Sequence, residues 1–269
     1  MKNNTQQSQY FNARELWFLF NKYSPAIIIG LPDPTLGFLT SDIQEINQRA
    51  RNSLIAKKII EPEHNQGWKI REPVDKWVQD IAAPAHTILV VRREGVMPES
   101  TASYHFTQGR VIGLIELEKD KYMIDPTPNP GLIVELLMRP ILTKIYMERD
   151  EPPFEISSRD FEKMRTQIEK NRISQANKMA VPLMEEKKFD RLAKAISNPV
   201  TRFSVLTFLN RNQAGTQETR GFSVIAGEDD IWLFRAKSKD LLTIQITSVS
   251  KPELEDTIKR FVPAQEATL

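Results

Sequence analysis

The apolar and polar positions of this chain form a pattern that is written twice. In residues 74–84, Val74-Asp75-Lys76-Trp77-Val78-Gln79-Asp80-Ile81-Ala82-Ala83-Pro84 sets apolar side chains at helical spacing and stops at a proline. The run Thr87-Ile88-Leu89-Val90-Val91 that follows has the β-branched content of a strand. Residues 189–199, Phe189-Asp190-Arg191-Leu192-Ala193-Lys194-Ala195-Ile196-Ser197-Asn198-Pro199, repeat the unit before a second strand-like run, Phe203-Ser204-Val205-Leu206-Thr207-Phe208-Leu209. Asp75, Ile81 and Pro84 map onto Asp190, Ile196 and Pro199 at a single offset. Lys119-Asp120 and Lys239-Asp240 each separate two β-rich runs and read as hairpin turns. Pro130 and Pro252 each precede a helical pattern, because a first turn has no use for the missing N–H. Each half is expected to run helix, four strands, helix. The chain is therefore expected to be α+β and internally duplicated, with the strands after Pro84 and Pro199 in one sheet about an approximate two-fold axis and the helix groups at opposite ends. The alternative is chance likeness between β-rich segments.

Helical segments precede each repeat. Residues 1–9 are polar, lack periodicity and are expected to be a disordered tail. The first repeat is placed at 10–148 and the second at 149–269, sharing one sheet. Leu16, Leu19, Phe20 and Tyr23 define a short first helix; Pro25, Pro32 and Pro34 stiffen the connector after it, with Ala26-Ile27-Ile28-Ile29 as an edge strand or a buried plug. Thr40 and Ser41 are expected N-caps, with Glu45 at capping-box distance, of a helix running to Ala56 with Ile43, Ile46, Ala50, Leu54 and Ile55 on one face. Trp68-Lys69-Ile70 reads as a short strand or wing. In the second half, residues 149–154 read as a linker and residues 158–177 as one long charged helix with Phe161, Met164, Ile168 and Ile173 along one side. Residues 92–106 are expected to form a long polar hairpin tipped by Val96, Met97, Tyr104 and Phe106, a contact surface unless they fold back onto the sheet.

Composition narrows the function classes. The chain has 269 residues, 37 basic and 35 acidic side chains and a net charge of +2, so no general attraction to nucleic acid is expected. It has no cysteine, hence neither a disulfide framework nor a thiol nucleophile, which fits a cytoplasmic setting. No run reaches the length of a membrane span, and membrane insertion is not expected. His64, His86 and His105 lie far apart without metal-ligand spacing and read as surface or capping residues. Nucleophile elbow, phosphate loop and dinucleotide fingerprint are all missing from the sequence. Glu228-Asp229-Asp230 is the densest acidic cluster and reads as a solvated hairpin tip, a divalent-ion site being the alternative there. No catalytic residue, cofactor or metal is assigned. Gln44, Asn47, Gln48, Arg49, Arg51 and Asn52 in the second helix, followed by the wing at Trp68, also fit a winged-helix DNA-binding regulator, against which Asp42, Glu45, Glu61 and Glu63 argue.

Several segments together resemble the EspG family, the cytosolic chaperones of type VII (ESX) secretion. They are Glu15-Leu16-Trp17; Ala50-Arg51-Asn52-Ser53-Leu54 leading to Ile59-Ile60; Trp77 with Ile81-Ala82-Ala83-Pro84; Gly221-Phe222-Ser223-Val224-Ile225; Glu228-Asp229-Asp230; and the closing helix from Pro252 to Phe261. The resemblance implies a quasi-two-fold fold with a central antiparallel β-sheet flanked by two helical bundles. It implies binding without catalysis, the client being a secreted α-helical protein or heterodimer whose apolar tip is kept covered. By position in the family, partner binding falls on Val96, Met97, Tyr104 and Phe106 of the sheet loop and on Met179 and Met184 of the second bundle. The protein itself is expected to be a monomer or homodimer. An immunity or scaffold protein is the remaining reading.

Overall fold

The structure, a computed structural model, describes residues 8–25, 27–63, 67–107, 109–126, 128–146, 151–211, 216–237 and 242–262. The expectations for His64 and for the turn at Lys239-Asp240, and most of the 1–9 tail, lie outside these residues.

The first half runs β1 (Gln9–Phe11), α1 (Ala13–Phe20), α2 (Thr40–Ala56), β2 (Ile60–Pro62), β3 (Trp68–Ile70), α3 (Val74–Ala82), β4 (His86–Glu94), β5 (Ser100–Thr107), β6 (Arg110–Glu118), β7 (Lys121–Asp125) and α4 (Pro130–Leu142). The second runs β8 (Phe154–Ser157), α5 (Ser158–Glu169), α6 (Ile173–Ala180), α7 (Glu186–Ser197), β9 (Thr201–Arg211), β10 (Thr216–Ala226), β11 (Ile231–Ala236), β12 (Thr243–Ser248) and α8 (Lys251–Phe261). The expected helix, four strands, helix is present in both halves. Ten strands form one antiparallel sheet in the order β1-β7-β6-β5-β4-β9-β10-β11-β12-β8, so the strands after Pro84 and Pro199 meet at its centre. A short edge strand closes each side, and β2 pairs only with β3 in a separate hairpin.

Alternation along the strands sorts the core into three parts. Ile88, Val90, Phe203, Val205, Phe222 and Val224 face α4 and α8 on one side of the sheet. On the other side, Ile112, Leu114, Tyr122 and Ile124 lie under α1, α2 and α3, while Ile225, Trp232, Phe234 and Ile246 lie under α5, α6 and α7. A single ladder thus carries one continuous core below and two separate helix clusters above. Trp232, Phe189 and Ile81 are almost fully buried, each contributing roughly 1.5–3 kcal/mol through burial.

Local chemistry sets the ends of the elements. Asn12 caps α1 in a capping box with Glu15, whose buried carboxylate also accepts from Ser53 Oγ (2.6 Å) and Lys57 Nζ (2.7 Å), tying α1 to α2. Asp120, at φ 62° in the β6–β7 turn, accepts from the Ala13 N–H at 2.9 Å and so fastens α1 to the sheet. Lys188 donates to the Pro152 carbonyl at 2.6 Å and Arg191 donates twice to Glu151, securing the approach to β8 against α7.

Several expectations need correction. Strand β1 begins at Gln9, inside the stretch assigned to a disordered tail, and pairs with Ile124. Thr40 is already helical and Leu39 holds the N-cap position of α2 without a side-chain cap; Glu45 pairs instead with Arg49 one turn on. The long charged helix is two, broken where Asn171 adopts φ 57°, a left-handed conformation that asparagine tolerates better than most residues. Of the 26–29 run, Ile28 is a buried plug with Leu31 in the α1–α3 core, and Ile27 is exposed.

Candidate partner-binding surfaces

Strand β4 continues to Glu94 and β5 begins at Ser100, so the connection expected over residues 92–106 shrinks to residues 95–99. Its root is fixed. Gly95 takes φ 48° and donates to the Val200 carbonyl at 3.1 Å, Thr201 Oγ1 donates to the Arg93 carbonyl at 3.3 Å, and Ser100 Oγ donates to the Arg92 carbonyl at 3.3 Å. An ion pair joins Arg92 to Glu94. At the tip, Val96 is 94% and Met97 62% exposed. Strand geometry holds the base, and the described residues leave these two side chains largely exposed.

Tyr104 and Phe106 do not belong to that tip. They are 7% and 6% exposed, pointing from β5 into the core under α4 and α8, with Phe106 stacked on His86 at 4.2 Å between ring centroids. Side chains on β5 alternate between the two faces of the sheet, and both faces are covered here, so the apolar residues of the run fold back onto the sheet.

Met179 and Met184 are half-buried against the α5–α7 core. The exposed apolar groups of that bundle are Val181 and Leu183, in the connection between α6 and α7, where Leu183 and Met184 both donate to the Ala180 carbonyl at 2.8 and 3.1 Å. The Pro182 between them is the signal in the sequence, a break that leaves its neighbours outside either helix. The structure does not bring the two apolar tips together. The 95–99 loop is anchored at Val200, beyond the C-terminal end of α7, and Leu183 precedes its N-terminal end, about 18 Å away along the 12-residue helix. Glu186, Lys187, Asp190 and Lys194 form the exposed charged face between them. A further exposed apolar group, Leu36, Phe38 and Leu39 in the α1–α2 connector, escaped the reading of the sequence, because prolines and glycine around it signal a turn but not what the turn exposes.

The chemistry expected to be sparse has specific structure. His105 is buried rather than at the surface: Ser103 Oγ lies 2.9 Å from its Nε2 and Thr87 Oγ1 lies 3.2 Å from its Nδ1. Ser103 donates to the Leu114 carbonyl at 3.5 Å, so it accepts from His105 Nε2–H, and the Thr87 hydroxyl donates to Nδ1. Burial holds the imidazole neutral, with its pKa lowered to about 3. The Ser–His contact is sealed, since a Cβ placed on Gly30 would sit 2.4 Å from Ser103 Oγ. At the acidic turn, Glu228 and Asp229 are exposed and pair with Lys194, while Asp230 is buried and pairs with Arg191 at 3.4 Å, a correction to the fully solvated tip expected there. Among the described residues, no group of three or more His, Cys, Asp or Glu side chains is placed to hold a metal ion, and no helix is long and apolar enough to cross a membrane.

Comparison with known proteins agrees with this architecture. The Mycobacterium tuberculosis type VII secretion system chaperone EspG5, solved in complex with the PE25-PPE41 dimer, superposes with a TM-score of 0.61 at 11% identity, covering 97% of this chain and 99% of that one. No curated protein matches the sequence. The resemblance read from the sequence therefore holds at the level of the fold: an α+β chain with a large antiparallel sheet, like that of an EspG chaperone. Residues 40–258 match the family described as "Uncharacterised protein YfjC", and the chain belongs to that family.

Proposed function

We propose that this protein is a non-catalytic chaperone or adaptor of a type VII (ESX-like) secretion system, acting in the cytoplasm on a secreted α-helical protein or heterodimer. The observation that carries the reading is the end-to-end agreement in fold with a chaperone solved together with its PE25-PPE41 dimer. The surface chemistry supports it: Val96 and Met97 on a braced loop, and Val181 and Leu183 in the connection before α7, are exposed apolar groups separated by a charged face. Such a surface suits an elongated partner with apolar contacts and a polar rim. Met179 and Met184 are half-buried in the same bundle, where a flexible side chain lets the contact adjust. Tyr104 and Phe106 serve by holding β5 in place rather than by touching the client.

The test is co-expression with candidate small helical secreted proteins from the same host. A client that is insoluble alone should become soluble and co-purify, and the complex should persist as salt is raised, because apolar burial is little screened. Binding that falls steeply with salt and brings down nucleic acid would support the winged-helix regulator instead.

A further inference from the structure

Helix α4 carries an outward apolar stripe that the other described residues leave exposed. Its inward face is spent on the core through Ile133, Leu137 and Ile141, yet Leu132, Leu136 and Leu142 on the outer side are 55%, 36% and 55% exposed. Glu135 and Arg139 lie among these leucines and pair one turn apart at 3.4 Å. This stripe is on the opposite face of the sheet from α5, α6 and α7, and so is separate from the client surface proposed at Leu183.

The order of the stripe is self-complementary. Leu132 and Leu142 stand equally far from its centre, as do Glu135 and Arg139, with Leu136 beside the midpoint. Turned end for end, the same helix sets leucine against leucine and carboxylate against guanidinium. Residues three and four apart share a helix face, so all five lie along one side of α4, with Pro140 between Arg139 and Leu142 placing any bend of the helix near its C-terminal end. A two-fold contact between identical copies requires such a pattern, each residue meeting its own complement on the other chain.

We infer that α4 is a homodimerisation helix, pairing antiparallel with α4 of a second copy so that Glu135 of each chain meets Arg139 of the other around a leucine centre. The contact is one helix wide and makes a weak, concentration-dependent dimer.

Sedimentation velocity of the purified protein over a wide concentration range tests this, with no client present. Wild type should shift from monomer to dimer, and Leu136→Glu should remain monomeric with an unchanged thermal melt. Glu135→Arg and Arg139→Glu should each be monomeric alone, since like charges then face each other. An equimolar mixture of those two variants should form a heterodimer. A wild type that stays monomeric throughout, single variants that dimerise like wild type, or a mixture that does not associate would each overturn the inference. Because the dimer is read with no client present, these outcomes are distinguishable from a failure of the proposed client binding.

Discussion

Val90 and Val205 are paired directly across the β4–β9 ladder, and they are separated in the chain by the same number of residues as Asp75 from Asp190 or Pro84 from Pro199. Each is the positional counterpart of the other. The centre of the sheet is thus the point where the first strand after Pro84 meets the first strand after Pro199, and both valines are buried in a core built from both halves.

This arrangement predicts that the halves are not independent domains. Cut between residues 148 and 149, either fragment would expose a full central strand of unpaired backbone, β4 or β9, and half of the shared core. Expressed separately, fragments 1–148 and 149–269 should be insoluble or associated. Expressed together, they should reassemble with the circular dichroism of the whole chain. Two soluble, cooperatively melting monomers would show separate cores.

At the 95–99 loop, exposure separates binding from stability. Replacing Val96 and Met97 by Ser should leave the melt unchanged, since exposed side chains usually move stability by less than about 0.5 kcal/mol. It should weaken client binding by about 2 kcal/mol, roughly thirtyfold, if they anchor the contact. Phe106→Ala should do the reverse first, costing about 3–5 kcal/mol of stability because it opens a cavity beside His86. Thermal melts and titration calorimetry on both variants distinguish the two effects.

His105 makes stability depend on pH. Its folded pKa of about 3 lies below the ordinary 6.5, so the unfolded chain binds the proton first. Its contribution is complete above pH 6.5 and is lost as pH falls toward 3, at up to about 1.4 kcal/mol per pH unit. Urea unfolding between pH 6.5 and 5 should show this slope, and His105→Gln should flatten it. An equal slope in the variant would assign the acid sensitivity to other groups.

The legible part of this protein was periodic. Trp77 and Ile81 on α3, like Leu192 and Ile196 on α7, announce a buried helix face, and the valine-rich runs after the prolines announce strands. What the sequence conceals depends on contacts far along the chain. Asp120 caps a helix more than a hundred residues earlier, and Glu15 is buried only because Ser53 and Lys57 reach it. Tyr104 and Val96 look alike as apolar residues near a turn, and only the length of the ladder decides that one is core and the other is exposed. Leu183 beside Pro182 gave a local signal of a break, but no local signal that the side chain stays uncovered.

The central claim is that the protein holds an apolar helical client. Its most direct test is affinity purification of the tagged protein from its native host at high salt, followed by identification and stoichiometry of whatever remains bound. A small helical secreted protein, or a pair of them, retained in stoichiometric amount by wild type and depleted by Val96→Ser with Met97→Ser, is the predicted result. Retention of no protein, with the bait folded and its melt normal, would contradict it.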